Sequence, residues 1–290
     1  MNPATWLLDT AKRSPLSPAL IVGTETKANY RDFARSAASI SAMLQQQYRL
    51  QKGDRVAIFA SNSIAYLELL YGIWFAGGCA VPINAKLHPK EAAWIIEDAQ
   101  ASLCFCSPDR FQPLEDALDE AKVPLVALQD GSFDTPSDGE IEMAPAALSS
   151  DDMIWLFYTS GTTGRPKGVM ITCGNIEAMV HSYLEGVDEV HESDTIYYAA
   201  PMSHGAGIYN FQHVIKGARH AVASSGGFDP AEIFSAARNL GNLHFFAAPT
   251  MVKRLVDHAK EHGETGEGIR TIVYGGGPMY LADIIEAVDV

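Results

Sequence analysis

Short apolar segments alternate with helical patterns along most of this chain. Residues 55–60 and 103–106 have the length and apolar composition of buried strands, whereas residues 63–76 and 89–99 have the apolar periodicity of helices. Strands that alternate with helices form parallel sheets covered by helices, so the pattern predicts an α/β fold with mainly parallel sheets. The second half repeats the pattern, with strands predicted near residues 195–199, 220–223, 244–247 and 271–274, and helices at residues 230–239 and 249–262.

A polar stretch separates the two halves of the chain. Residues 130–150 accumulate Gly, Ser, Asp and Pro, and the apolar periodicity fades there. We predict a linker in this stretch, with a first α/β subdomain in residues 1–150 and a second in residues 151–290. The chain has 290 residues, of which 47% are hydrophobic, which is enough for a sizeable core and for two subdomains.

Charge and cysteine content favour a cytoplasmic protein. The net charge of −14 comes without a basic stripe, which argues against general binding of nucleic acid or anionic membranes. Four cysteines lack the paired spacing of a zinc site, and Cys104 and Cys106 are expected in the core, so we predict no metal site. The first residues lack a secretory signal pattern, and the apolar helix at residues 63–75 carries Glu68 and is too short to cross a bilayer.

One connection concentrates groups that bind phosphate. Residues 158–168 read YTSGTTGRPKG and follow an apolar stretch at residues 153–158, which reads as a buried strand. Hydroxyls and glycine amides donate hydrogen bonds with little steric bulk, and a lysine adds a mobile positive charge. The order of residues differs from a Walker A loop, because Lys167 is followed by glycine. We predict a phosphate-binding loop before a helix at residues 172–184, formed by Thr159, Ser160, Gly161, Thr162, Thr163, Gly164 and Lys167.

Two later segments also follow predicted strands. Residues 201–207, PMSHGAG, place His204 among small residues, as in a pocket wall, although a structural histidine is the common alternative. Residues 274–278, YGGGP, place three glycines at the carboxyl end of a strand, where bare backbone can face a flat ring or form a tight turn.

These motifs, in this order, resemble the acyl-adenylate-forming (AMP-binding) superfamily, and the chain is most similar to its acyl-CoA synthetases, the carboxylic acid:CoA ligases. The resemblance extends from about Trp6 to the end and includes residues 28–33 and 74–84, which we interpret as packing segments. It implies the large N-terminal domain of these enzymes, with the predicted loop on the phosphates of ATP. It also implies an acyl pocket bordered by His204, Gly205 and Ala206, and a wall for adenine or acyl group at Gly275, Gly276, Gly277 and Pro278.

The resemblance implies that a fatty or aryl acid is activated with ATP and Mg²⁺ and then joined to CoA, as in fatty acid metabolism. Residues 201–207 contain no aspartate, which disfavours an amino-acid substrate, and residues 224–228 lack the lysine with which some members contact CoA. The later family motifs, including the catalytic lysine of a small C-terminal domain, would lie beyond Val290. We therefore expect an N-terminal fragment without complete activity and assign no catalytic residue.

Two alternatives remain open from the sequence. The acceptor of the acyl group could be a carrier protein or another acceptor, and the chain could be a nucleotide-binding module without catalysis. The chain length of the acid stays open, and the sequence is compatible with a homo-oligomer.

Overall fold

The computed structural model describes residues 1–118, 123–133, 144–159 and 165–290, and these form helices packed on two sheets. The strands are β1 (Pro18–Val22), β2 (Glu25–Asn29), β3 (Arg55–Ala60), β4 (Cys79–Asn84), β5 (Leu103–Cys106), β6 (Leu125–Ala127), β7 (Met153–Thr159), β8 (Lys167–Thr172), β9 (Thr195–Tyr198), β10 (Arg219–Val222), β11 (Leu243–Ala247) and β12 (Ile269–Tyr274). The helices are α1 (Pro3–Arg13), α2 (Tyr30–Gln46), α3 (Ile64–Phe75), α4 (Pro89–Asp98), α5 (Pro108–Leu118), α6 (Cys173–Gly186), α7 (Gly205–Ile208), α8 (Asn210–Lys216), α9 (Pro230–Leu240), α10 (Pro249–His262) and α11 (Leu281–Asp289).

Both sheets are mainly parallel, which confirms the predicted α/β class. The first sheet has the order β6-β5-β3-β4-β7-β8, and only its β7–β8 pair is antiparallel within the described residues. The second sheet has the order β12-β11-β9-β10-β1-β2, and the β1–β2 pair is likewise antiparallel. Each sheet is therefore a parallel array closed at one edge by a hairpin.

The two sheets do not divide the chain at residue 150. The β1–β2 hairpin lies in the second sheet with β9 to β12, and the β7–β8 hairpin lies in the first sheet with β3 to β6. Sheets in the structure therefore cross the predicted division into residues 1–150 and 151–290. Local sequence sets the turn of a hairpin, but the sheet it joins depends on pairing between distant strands. The predicted linker at residues 130–150 falls partly outside the described residues.

The segment after the phosphate motif differs from the prediction. Residues 167–172 form an unpredicted antiparallel strand on β7, and the helix predicted at residues 172–184 follows it at Cys173–Gly186. Thr172 caps this helix, because its Oγ1 accepts a hydrogen bond from the amide of Asn175 at 3.3 Å. The described ends of the phosphate motif, Thr159 and Lys167, therefore lie on paired antiparallel strands, and the second of these strands separates the motif from the helix.

The core lies between the two sheets and around α3. Trp74, Trp155 and Phe211 are buried and in mutual contact, with ring centroids 5.1 to 6.4 Å apart. Tyr30 opens α2 and is fully buried, and its hydroxyl donates to the carbonyl of Ala218 at 2.5 Å. This contact ties α2 to the loop before β10. No helix among the described residues is long and apolar enough to cross a membrane.

Candidate adenylation site

The described part of the phosphate motif lies at the end of the hairpin where β7 finishes and β8 begins. Thr159 and Lys167 are directly opposite each other in the register of the two strands, and both side chains are exposed. Side chains of such a pair leave the sheet on the same face, about 5 Å apart at Cβ. We call this pair the hairpin end. The predicted loop residues Ser160, Gly161, Thr162, Thr163 and Gly164 lie outside the described residues.

The face of β7 that carries Thr159 also contacts residues 201–207, which we call the histidine segment. Side chains alternate along a strand, so Phe157 and Trp155 share this face with Thr159. The ring of Phe157 meets the ring of His204 edge to face, with centroids 5.4 Å apart. A Cβ placed on Gly207 would lie 3.2 Å from the indole of Trp155. The hairpin end and His204 are thus on one side of the first sheet.

Asn62 holds the histidine segment in place across the two sheets. This residue follows β3 of the first sheet, and its amide nitrogen donates to the carbonyls of Tyr198 at 3.0 Å and Ala200 at 2.9 Å. Its side-chain oxygen accepts from the amide of Met202 at 2.8 Å. The next residue, Ser63, caps α3, so Asn62 is not the cap of this helix. The long-range role of Asn62 has no local signature.

The histidine segment and residues 274–278, which we call the triple-glycine segment, lie close together because of the strand order. His204 and Gly205 follow β9, and Gly275 follows β12, with β11 lying between these two strands. Parallel strands present their carboxyl ends at one edge of a sheet, where ligands of α/β proteins commonly bind. Ala206 is buried, whereas Gly276, Gly277 and Pro278 are exposed. The structure therefore brings the two predicted walls to one sheet edge.

Phe246 is the side chain between these two segments, and the sequence motifs did not indicate it. A Cβ placed on Gly205 would lie 3.0 Å from Cζ of Phe246, and one placed on Gly275 would lie 3.1 Å from its Cε2. On another side the ring stacks on Tyr209, with an interplanar angle of 18° and centroids 5.8 Å apart. We call Phe157, His204, Tyr209 and Phe246 the aromatic wall.

The aromatic wall is electrically neutral near pH 7. Burial lowers the pKa of His204 below its ordinary value, so the imidazole is uncharged, and Oγ of Ser203 lies 3.0 Å from its Nδ1. Burial also raises the pKa of the Tyr209 phenol. The hairpin end, in contrast, carries the ammonium of Lys167, with Arg165 exposed nearby in sequence. One side of the site therefore suits an anion and the other suits an apolar group.

A hydroxyl and an ammonium at the hairpin end match phosphate oxygens, and neither is the carboxylate that Mg²⁺ prefers in proteins. Within the described ranges, no group of three or more His, Cys, Asp or Glu side chains could hold a metal ion. A largely apolar cavity of about 440 Å³ lies against α10, β12 and α11. Its walls include Ile272 and Tyr274. Val273, the strand partner of Phe246, points to the other face of β12, so this cavity and Phe246 lie on opposite faces of the sheet.

Comparison with known proteins finds one family over nearly the whole chain. The AMP-binding enzyme family matches residues 7–289. A feruloyl-CoA synthase of Amycolatopsis sp. is 30% identical over 277 residues, covering 95% of this chain and 54% of the relative. A fatty acid–[acyl-carrier-protein] ligase, ScoC, of Streptomyces coeruleorubidus is 27% identical over 97% of this chain and 54% of its own length.

The fold also matches solved structures. O-succinylbenzoate coenzyme A synthetase (MenE) of Bacillus subtilis, in complex with AMP, superposes with a TM-score of 0.83 at 24% identity, covering 98% of this chain and 56% of that one. The present chain spans about half the length of the curated relatives it matches. Similarity to MenE therefore supports the fold of a large N-terminal domain in an adenylate-forming enzyme.

Proposed function

Since this chain belongs to the AMP-binding enzyme family, we propose that its protein activates a carboxylic acid with ATP and then transfers the acyl group to CoA. The observation that carries this proposal is that Thr159 and Phe157 lie on the same face of β7. On that face the hairpin end, suited to phosphate, stands two residues from Phe157, whose ring contacts His204 at the predicted acyl pocket. An acid and ATP bound at these two places would lie close together on one side of the first sheet.

In the proposed first step, a carboxylate oxygen of the acid attacks the α-phosphorus of ATP. The bond to the bridging oxygen breaks, and pyrophosphate leaves with the electron pair. Two anions have to be held together for this step, so positioning and charge stabilisation supply most of the catalysis. In the second step, the thiol of CoA loses its proton to solvent and attacks the acyl carbon; the bond from that carbon to the phosphate oxygen breaks, and AMP leaves with the electron pair.

We assign the phosphates to the hairpin end and the motif within it. Thr159 and Lys167 would contact the β- and γ-phosphates together with Ser160, Gly161, Thr162, Thr163 and Gly164. The ammonium of Lys167 would neutralise charge on the departing pyrophosphate. Mg²⁺ supplies further positive charge when it accompanies ATP, and the net charge of −14 makes such a counter-ion favourable.

We assign the acid and the adenine to the second sheet. His204, Gly205 and Ala206 would border the acyl group, and the neutral imidazole of His204 can accept or donate a hydrogen bond without a charge beside the carboxylate. Gly275, Gly276, Gly277 and Pro278 would form the wall for the adenine or the acyl group. Gly276 and Gly277 are exposed, and a glycine has no side chain that would keep a flat ring away.

Pyrophosphate exchange tests this proposal. The full-length gene product is incubated with ATP, labelled pyrophosphate, Mg²⁺ and one acid at a time, from a panel of alkyl, aryl and dicarboxylic acids. We expect exchange that depends on both ATP and the acid, because adenylate formation is reversible. ATP binding without exchange for any acid would instead support the nucleotide-binding module without catalysis.

A carrier protein is the second candidate acceptor, because one relative is named a fatty acid–[acyl-carrier-protein] ligase. The same enzyme, supplied with an acid that supports exchange, is given CoA or a carrier protein with its phosphopantetheine arm. We expect the thioester of CoA to form faster. Thioester on the carrier alone would replace CoA with the carrier protein and leave the adenylation step unchanged.

A further inference from the structure

Tyr158 begins the phosphate motif, yet its side chain points away from the proposed phosphate site. Side chains alternate along β7, so Tyr158 leaves the face opposite Thr159 and packs with Leu156 in the core beneath α4. Its ring is only 7% exposed, and Trp94 of α4 meets it edge to face, with centroids 6.2 Å apart. The side chain therefore lies against a helix on the far side of the strand from Thr159.

The hydroxyl of Tyr158 is bound by a carboxylate. It donates to Oδ2 of Asp98, the last residue of α4, at 2.6 Å. This is the length of a charge-assisted O–H···O⁻ hydrogen bond, which is about twice as strong as a neutral one. Burial, and then this bond, raise the pKa of Tyr158, so the phenol keeps the proton that it donates. One hydrogen bond thus joins the start of the phosphate motif to α4.

Asp98 lies where an acidic residue is unfavourable for the helix itself. The carboxyl end of a helix carries partial negative charge, so cations are preferred there. The last turn of α4 contains no basic residue that would offset the charge of Asp98. Local rules of helix stability therefore do not account for this residue, whereas its bond to Tyr158 does.

A glycine lets the Tyr158 ring lie across the hairpin. Gly168 is the strand partner of Tyr158, and this pair is next to the Thr159–Lys167 pair of the hairpin end. A Cβ placed on Gly168 would lie 3.1 Å from Cζ of Tyr158, which is tighter than nine in ten real Cβ contacts. The ring therefore rests against the backbone of β8 next to Lys167. Holding this ring in place holds both strands where they carry the hairpin end.

From this geometry we propose that Tyr158 and Asp98 are positioning residues for ATP, which hold the hairpin end in the arrangement that binds the phosphates. This inference rests on the proposed assignment of Thr159 and Lys167 to ATP. Without the bond, the hairpin end would have to be ordered when ATP binds, and that cost in entropy would weaken binding. Asp98 is exposed, so water can replace the lost hydroxyl and folding should hardly be affected.

Isothermal titration of the full-length protein with ATP and Mg²⁺ tests this role. We expect Tyr158→Phe to weaken ATP binding about fivefold, while the midpoint of thermal unfolding stays close to that of the wild type. In pyrophosphate exchange, the KM for ATP should rise by a similar factor and the KM for the acid should not change. Unchanged affinity for ATP in Tyr158→Phe overturns the inference.

Substitutions of Asp98 test whether the bond itself matters. Asp98→Asn keeps an oxygen that can accept from the phenol, so ATP affinity should stay within about twofold of the wild type. Asp98→Ala removes the acceptor and should weaken binding as Tyr158→Phe does. The two changes combined should lose no more affinity than either alone, because both remove the same bond. Additive losses, or equal losses for Asp98→Asn and Asp98→Ala, overturn the inference.

Tyr30→Phe is the matched control for the loss of a tyrosine hydroxyl. Tyr30 also donates its hydroxyl, to the carbonyl of Ala218, but it lies on α2 and outside the hairpin. Loss of this buried bond should lower the free energy of unfolding and leave ATP affinity unaltered. If Tyr30→Phe weakened ATP binding as much as Tyr158→Phe, a general loosening of the fold would explain both results, and the inference would fail.

The wild-type measurements separate this inference from the function on which it rests. No exchange with any acid overturns the proposed adenylation, whereas the affinities of the variants for ATP still decide the role of Tyr158 and Asp98. Exchange with equal ATP affinity in the wild type and Tyr158→Phe overturns only the inference. A wild type that binds no ATP overturns both.

Discussion

The hairpin end and the aromatic wall are neighbours on one face of β7, yet they are built in different ways. Thr159 and Lys167 are exposed and belong to one short motif, and their placement depends on the register of a single hairpin. The aromatic wall combines residues from β7, from the segment after β9 and from β11, and a Cβ placed on a neighbouring glycine would lie as little as 1.9 Å from another atom. Substitutions should therefore affect binding in the first region and stability in the second.

The largest effect is expected at Gly207, behind the aromatic wall. A Cβ on this residue would lie 1.9 Å from the carbonyl oxygen of Met202, so Gly207→Ala must displace the segment that holds His204. We expect the free energy of unfolding to fall by about 3 kcal/mol or more. Urea denaturation followed by far-UV circular dichroism measures this change.

Gly186→Ala is the matched control for that substitution. Gly186 ends α6, and a Cβ placed on it has no neighbour within 4 Å. Alanine is the better helix former, so this variant should be as stable as the wild type or slightly more stable. If both variants lost a similar amount of unfolding free energy, close packing around Gly207 could not be the reason.

An intermediate loss of stability is expected when the pH is lowered, because His213 is buried behind the aromatic wall. Burial, and then the neighbouring His244, lower the pKa of His213 from its ordinary 6.5 to about 3, while Asp194 and Asp188 act in the opposite direction. Below pH 6.5 the unfolded chain binds a proton that folded His213 does not bind, so stability should fall as the pH decreases from 6.5 towards 3. Between pH 7.5 and 5.0 this one residue should account for about 2 kcal/mol.

His213→Leu should reduce that loss of stability by a similar amount. The comparison uses the change in unfolding free energy between pH 7.5 and 5.0, so any constant effect of the substitution cancels. Lys167→Ala serves as the control from the hairpin end and should keep the pH dependence of the wild type. If the unfolding free energy of His213→Leu changed with pH as much as that of the wild type, His213 would take up its proton in the folded state as well, and the prediction would be wrong.

The smallest effect is expected at the hairpin end, and only in binding. Lys167→Ala removes a charge-assisted contact to phosphate, and we expect ATP to bind about tenfold more weakly with the midpoint of thermal unfolding unchanged. Lys216→Ala removes an equal charge from the exposed end of α8 and should leave ATP affinity unaltered. Isothermal titration with ATP and Mg²⁺ measures both affinities. Unchanged affinity in Lys167→Ala would remove the phosphate role of this residue.

Periodicity in the sequence predicted most secondary structure well. The strands at residues 55–60 and 103–106 and the helix at residues 249–262 have the predicted bounds, because alternating and helical apolar patterns are local. Strand β8 was missed because residues 167–172 contain too few apolar positions to be distinguished from the approach to a helix. Its strand conformation comes from pairing with β7.

For the candidate site, the motifs located the segments but not the side chains that join them. His204 and Gly275 were singled out from composition and resemblance, and their assigned roles stay predictions. Asn62 and Phe246 lack any local signal, because each acts on residues more than 25 positions away in the chain. The role of Phe246 could have been suggested only by knowing that it faces Gly205 and Gly275. The sequence does not specify which residues face each other across the fold.

By itself, the sequence determined the α/β class, the run of strands and helices and the phosphate motif, since all three depend on neighbouring residues and their spacing. Tertiary structure decided which sheet each hairpin joins, and it placed β11 between β9 and β12 so that Phe246 fills the gap between Gly205 and Gly275. The physical reason is that strand order follows from hydrogen bonding and burial among distant segments. These long-range interactions form only when the whole chain packs.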